Sequence, residues 1–80
     1  MKAKILNLRG ALYEGEAKIV NVKTLSGEIT ILDHHRPIIP ALAPNAHIYL
    51  NDALGKRSDY DVKGGFLHLD ANNELTVLVD

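Results

Sequence analysis

Cysteine is absent, so neither a disulfide nor a thiolate zinc site is available, and the chain fits a reducing compartment. Clustered positive charge is absent too. Nine basic and ten acidic residues are dispersed along the chain, for a formal net charge of −1. Phosphate binding needs grouped cations, so nucleic acid is set aside as a partner. There is no long hydrophobic run. The most apolar stretch, Pro37 to Pro44, contains all three prolines and falls far short of the ~20 apolar residues a membrane span needs. The start, Met1 to Asn7, is charged and lacks the apolar core of a signal peptide. Direct membrane insertion is therefore not expected, and any membrane role runs through a protein partner. No internal repeat, linker, low-complexity stretch or helical period is present.

What the chain does have is the composition of a folded domain, 46% hydrophobic and 24% charged, outside the range of disordered chains. Its 80 residues imply one domain, 1–80. A chain of this size buries roughly 60% of the surface its unfolded form exposes, so it folds alone with a modest margin and gains from a docked partner.

The hydrophobic pattern is that of short strands. Lys2 to Leu8 carries Ile5, Leu6 and Leu8. Glu16 to Thr24 changes phase midway, from Ala17 and Ile19 to Val20 and Val22, which predicts a bulge or a strand shared between two sheets. After the turn at Ser26-Gly27, Glu28 to Leu32 puts Ile29 and Ile31 on one face. His47 to Asp52 alternates, with Ala46, Ile48 and Leu50 one way and His47, Tyr49 and Asn51 the other. Ser58 to Lys63, Phe66 to Leu69 and Leu75 to Val79 complete the set, with Leu75, Val77 and Val79 on one face. Short strands with frequent turns predict an all-β fold, a β-sandwich of mainly antiparallel strands. Asp33 to Pro44 is the weak region. Its prolines lack backbone donors, so it reads as a loop, an edge strand and a turn.

Residues with chemical potential are few. Asp33-His34-His35 has metal-ligand residue types, yet adjacent side chains on extended backbone point apart, and an exposed polar loop is the better reading. His47 and His68 occupy polar-facing strand positions. Asp59 and Asp61 share a strand face, as an acid/base pair would, but a solvated edge is the commoner cause. No nucleophile elbow or Walker motif occurs. Gly64-Gly65 lies between strands, which suggests a bulge or a close backbone approach. An enzyme and a bound cofactor are therefore not expected, and a binding module remains. Ile38, Ile39 and Leu42 either plug one end of the sandwich or form a contact patch for another chain.

Five runs carry a resemblance: Leu12-Tyr13-Glu14-Gly15-Glu16, Gly27-Glu28-Ile29-Thr30-Ile31-Leu32, His35-Arg36-Pro37-Ile38-Ile39-Pro40-Ala41-Leu42, Val62-Lys63-Gly64-Gly65-Phe66-Leu67 and Leu75-Thr76-Val77-Leu78. In this order and spacing the chain resembles the N-terminal domain of the epsilon subunit of bacterial F-type ATP synthases, which occurs as the delta subunit in mitochondria. That domain is a β-sandwich at the foot of the central stalk. The resemblance implies a non-catalytic rotor part that binds the gamma subunit, rests on the polar loops of the c-ring and helps couple proton or ion flow to ATP synthesis. It would lie at the cytoplasmic face of the bacterial inner membrane as a peripheral component. Glu28 matches the family's acidic position beside the ring loops. His35 matches a histidine near gamma, and Pro37, Ile38, Ile39, Pro40 and Leu42 match the apolar segment beside it.

This sequence departs from the family at Asp33-His34, where the family has Pro-Gly, and at Arg36, Pro40 and Lys63. The residues also stop before the family's C-terminal helical hairpin, which binds ATP in some members and restrains ATP hydrolysis. Neither nucleotide binding nor hairpin-type inhibition is therefore expected of them. The alternative reading is a stand-alone β-sandwich adaptor with another partner.

Overall fold

The computed structural model describes residues 1–80, with seven strands and no helix. The strands are β1 (Lys2–Asn7), β2 (Gly10–Thr24), β3 (Gly27–Leu32), β4 (Ala46–Asp52), β5 (Arg57–Val62), β6 (Gly65–Leu69) and β7 (Glu74–Val79). One hydrogen-bonded path runs β5-β4-β2-β1-β7-β6, with β3 added on β2. It folds over at β2 into two layers. The first sheet is the N-terminal part of β2 with β1, β7 and β6. The second is β3, the C-terminal part of β2, β4 and β5. Every pairing is antiparallel except β1 with β7, where Lys2 to Leu6 run alongside Glu74 to Leu78.

The phase change read in the sequence is the fold-over point. Opposite β4, Ala17 pairs with Asp52 and Ile19 with Asn51, which leaves Lys18 as the extra residue of a bulge. Before it, Tyr13 and Ala17 turn inward; after it, Val20, Val22 and Thr24 do. One strand thereby serves both layers without turning a polar face into the core. β2 begins earlier than the expected Glu16, at Gly10. In that part the Tyr13 side chain lies over Gly15, and its hydroxyl donates to the Glu16 carbonyl at 2.8 Å.

Seventeen buried residues, from Met1, all seven strands and the 33–45 segment, form one hydrophobic cluster, with Ile5, Val20, Val22, Ile31, Ile48, Leu50, Leu67, Leu69 and Val77 almost fully enclosed. Each such side chain contributes roughly 1.5–3 kcal/mol relative to exposure. Alternation then fixes what faces outward on each sheet.

Residues 33–45 are an edge strap that closes the sandwich. Ile38 exchanges backbone hydrogen bonds with Leu69 (3.1 and 2.9 Å), the Pro40 carbonyl accepts from Leu67 (3.1 Å), and Leu42 donates to Gly65 (2.9 Å). On its other side Leu25 donates to Ala41 (3.1 Å) and Ala43 to Lys23 (2.9 Å). The strap therefore covers the free edge of β6 and ties it to the second sheet. Pro40 fits because only its carbonyl is needed there.

Gly65 marks the close approach foreseen at Gly64-Gly65. Its φ is +144°, and a Cβ there would stand 1.9 Å from the Leu78 carbonyl oxygen.

Candidate functional site

The outer face of the first sheet carries a row of large apolar side chains across the strands. Ile5, Val77 and Leu67 point inward, so Leu6, Leu78 and Phe66 point out. The register aligns them, with Leu6 beside Leu78, Leu78 beside Phe66 and Phe66 beside Ala41 of the strap. Leu78 is 54% exposed and Phe66 59%. Ala11 of β2 lies beside Leu6 at one end, with exposed Leu12 next to it as the extra residue of a β1–β2 bulge, and Ile39, 70% exposed, flanks the row on the strap. Leu8 and Leu54 are also exposed but stand singly at turns. A contiguous row, unlike single exposed leucines, is a feature that calls for a partner. Further along the same face the surface turns charged, with Lys2 opposite both Glu16 and Glu74, and Lys4 opposite Glu14.

The outer face of the second sheet is mostly polar, with a bonded group on β4 and β5, one apolar pair where Leu32, 54% exposed, lies beside Ile19, and an unpartnered Asn51 Oδ1. Its order starts in the β4–β5 turn, where the Asp52 carboxylate accepts from the backbone N–H of Leu54 and of Lys56, both at 2.9 Å, and Gly55 takes φ +84°. The β6–β7 turn repeats the device: Asp70 accepts from Asn72 (2.8 Å) and Glu74 (3.1 Å), with Asn73 at φ 60°. The first turn fixes a register in which His47 faces Asp61 and Tyr49 faces Asp59. The His47 ring nitrogens then lie 2.7 Å from Asp61 and 2.8 Å from Asp59. Those carboxylates, Asp61 foremost and then Asp59, hold the imidazole pKa above its ordinary value. Arg57 donates to both oxygens of Asp59 at 2.9 and 3.0 Å and lies 4.0 Å over the Tyr49 ring. Arg57, and secondarily His47, keep the Asp59 carboxyl below the usual carboxylate range.

At the other edge of this face stands Glu28. It is exposed on β3, and its carboxylate accepts from the Asn21 side-chain amide at 3.1 Å. His35 follows β3 at its far end, with its N–H on the Leu32 carbonyl and its ring 2.7 Å from the Arg36 carbonyl. Glu28 and Leu32 are about 13 Å apart along an extended strand, so the acidic and histidine positions mark opposite ends of β3 and do not share a site.

The strap residues separate. Leu42 is 4% exposed and belongs to the core, so its expected place among the gamma contacts is corrected: no side-chain surface is left to offer. Ile38 is half-buried against the same core, whereas Ile39 points to solvent. Pro37 is exposed and Pro40 half-buried. Asp33, His34 and His35 diverge. Asp33 pairs with the Met1 ammonium, which also donates to the Ala17 carbonyl at 2.9 Å. The backbone N–H of His34, at φ 63°, donates to Asn73. No group of three or more His, Asp or Glu side chains gathers to hold a metal ion. His47 and His68 lie in different sheets.

Two groupings escaped the sequence reading. The apolar row was visible in principle, because Leu6, Phe66 and Leu78 occupy solvent-parity positions of alternating strands. The His47–Asp59–Asp61 grouping needed the hairpin register. Cavities are small: one of about 80 Å³ lies over Lys2, Lys4, Glu74, Leu75 and Thr76, and one of about 280 Å³ beside Asn7, Leu8, Arg9 and Asp80. Neither has the apolar walls and convergent polar groups of a small-molecule site.

Comparison with known proteins gives one family. The model of the ATP synthase delta/epsilon chain, beta-sandwich domain, matches residues 1–80. The ATP synthase epsilon chain of Corynebacterium aurimucosum is 33% identical over 78 residues, covering 98% of this chain and 63% of that protein. ATP synthase epsilon chain 2 of Burkholderia orbicola is 31% identical over 80 residues, covering all of this chain and 52% of the other. The chain thus spans roughly half to three fifths of the curated relatives it matches. Among solved structures, a chain of the Euglena gracilis mitochondrial ATP synthase superposes with TM-score 0.90 at 20% identity, covering 99% of this chain and 49% of that one. A chain from the Tetrahymena thermophila mitochondrial ATP synthase central stalk and c-ring gives TM-score 0.81 at 15% identity, over 99% of this chain and 62% of that one. These two likenesses concern the fold.

Proposed function

The chain belongs to the β-sandwich domain family of ATP synthase delta and epsilon chains, and from that premise we propose that residues 1–80 act as one non-catalytic unit of the rotor stalk, binding gamma and resting on the c-ring. The observation that carries this reading is the apolar row on the first sheet. A domain of this size keeps half-buried Leu6 and exposed Leu12, Leu78, Phe66 and Ile39 at its surface, although each forgoes a part of the roughly 1.5–3 kcal/mol that full burial contributes. Gamma is the partner assigned to that row. The apolar contacts dominate its affinity, and charged groups at the margin set orientation and rate.

Glu28 meets the polar loops of the ring, where a carboxylate suits basic side chains. Pro37, Ile39 and the exposed edge of Pro40 border the gamma contact, and His35 lies at its far margin. The domain holds no cofactor in this role. It is peripheral, at the cytoplasmic face of a bacterial inner membrane, and its attachment is to protein. No helix is long and apolar enough to cross a membrane. The task is mechanical: a firm interface that turns with gamma and the ring while ions flow, so that torque reaches the catalytic head.

The test is co-purification with a tagged gamma subunit from the same organism, beside the variant Ile39→Asp. The expected result is stoichiometric capture of the parent and weakened capture of the variant, with unchanged circular dichroism. Failure of the folded parent to bind would leave a β-sandwich adaptor for another partner.

A further inference from the structure

Glu28 is held by a neutral donor and not by the nearest cation. Its cross-strand neighbour is Lys23, directly opposite in the β2–β3 register, yet the two form no ion pair. The contact is instead diagonal, to Asn21. Asn21 sits on the outer face of β2 between β3 and β4, facing Thr30 on one side and Tyr49 on the other. It is only 7% exposed. Its side-chain nitrogen donates to the Thr30 hydroxyl at 2.9 Å and to Glu28 Oε1 at 3.1 Å. The orientation of the amide follows from chemistry, because a carboxylate can only accept and so the NH2 end must face it. Thr30 can accept while its own hydroxyl hydrogen turns elsewhere.

We propose that Asn21, steadied by Thr30, is a positioning residue that presents Glu28 to a cationic side chain of the partner beneath. Two consequences separate this arrangement from an ordinary surface ion pair. A neutral donor fixes the carboxylate without neutralising it, so the charge remains available to an incoming ammonium or guanidinium. Fixing the side chain before contact also removes part of the ordering cost that binding would otherwise impose. Only Oε1 is engaged by Asn21, and Oε2 remains free to accept. The proposal rests on the reading that Glu28 meets the ring loops, and it names how this chain prepares that contact.

The test is a double-mutant cycle on binding to the detergent-purified c-ring of the same organism, using the complex of this chain with gamma. The variants are Asn21→Leu, Glu28→Gln and both together. Thermal unfolding of each free variant and the side-chain amide signals of Asn21 in 1H–15N spectra are recorded alongside. Glu28→Gln is expected to weaken ring binding roughly threefold to fivefold at low salt, as an exposed charge contact does. Asn21→Leu should give a similar loss in the parent background and none when Glu28 is already Gln, and high salt should erase both. In the free parent the Asn21 amide signals should move on Glu28→Gln.

A loss from Glu28→Gln with none from Asn21→Leu would overturn the positioning role and leave the ring contact standing. An equal loss from Asn21→Leu in both backgrounds would overturn it too, as a purely structural effect. No loss from Glu28→Gln would overturn the ring assignment itself, and the positioning role would fall with it.

Discussion

The two sheets share one core and turn different chemistry outward. On the first, Leu6, Leu78 and Phe66 form an apolar row with Leu12 and Ile39 at its flanks. On the second, His47, Asp59, Asp61 and Arg57 bond to one another, and Arg57 covers the Tyr49 ring. The paired β4–β5 part of that face offers little to a partner, because each bond would have to be exchanged, and only its β3 edge, with Glu28, keeps a free acceptor. A face whose apolar groups lack cover gains on docking. The difference shows that burial pattern alone builds the sandwich, whereas the residues at solvent parity decide which side is used.

The largest effect is expected at Gly65, which brings β6 onto β7 and so puts Phe66 beside Leu78. Gly65→Ala forces a Cβ to within 1.9 Å of the Leu78 carbonyl oxygen at φ +144°. Destabilisation of about 4 kcal/mol or more is expected, read by denaturant unfolding, with loss of both faces together. Next comes a pair of neighbours on β6. Leu67→Ala, on the inner side, should cost about 2–5 kcal/mol of stability. Phe66→Asp, on the outer side, should cost about 1–2 kcal/mol, through its strand propensity and its pair with Leu78, and weaken gamma binding by about 30-fold or more. Denaturation and calorimetry on the same two proteins check both halves.

The smallest effect belongs to the polar face. The folded-state pKa of His47 is raised by Asp61 and then Asp59, so its stabilising pairing is complete below the unfolded value of about 6.5. It is lost as pH rises through the higher folded value. The melting-temperature difference between the parent and His47→Gln should therefore be larger at pH 5.5 than at pH 8.5, and it should shrink in high salt because the groups are exposed.

Much of this architecture is legible in the sequence because strand alternation reports burial directly. Ala46, Ile48 and Leu50 against His47, Tyr49 and Asn51 define β4 almost without ambiguity, and the shift from Ala17 to Val20 gives away the bulge. The start of β2 is less legible, since Gly10 and Gly15 interrupt the alternation and Tyr13 covers a glycine in place of a neighbouring side chain. The strap is legible only in outline. Its prolines exclude a central strand, but the division of Leu42 to the core and Ile39 to solvent depends on its pairing with β6, which no local pattern encodes. The same holds for Glu28 and Asn21. The residues are far enough apart in sequence that only the β2–β3 register brings them within a hydrogen bond.

The most direct measurement is calorimetric titration of the same organism's gamma subunit with three proteins: the parent, Phe66→Asp on the first sheet and Arg57→Ala on the second. One-to-one binding by the parent, near-complete loss with Phe66→Asp and parent-like affinity with Arg57→Ala are expected. Equal loss in both variants, or loss only with Arg57→Ala, or no binding by the folded parent, would rule out the first sheet as the gamma-binding face.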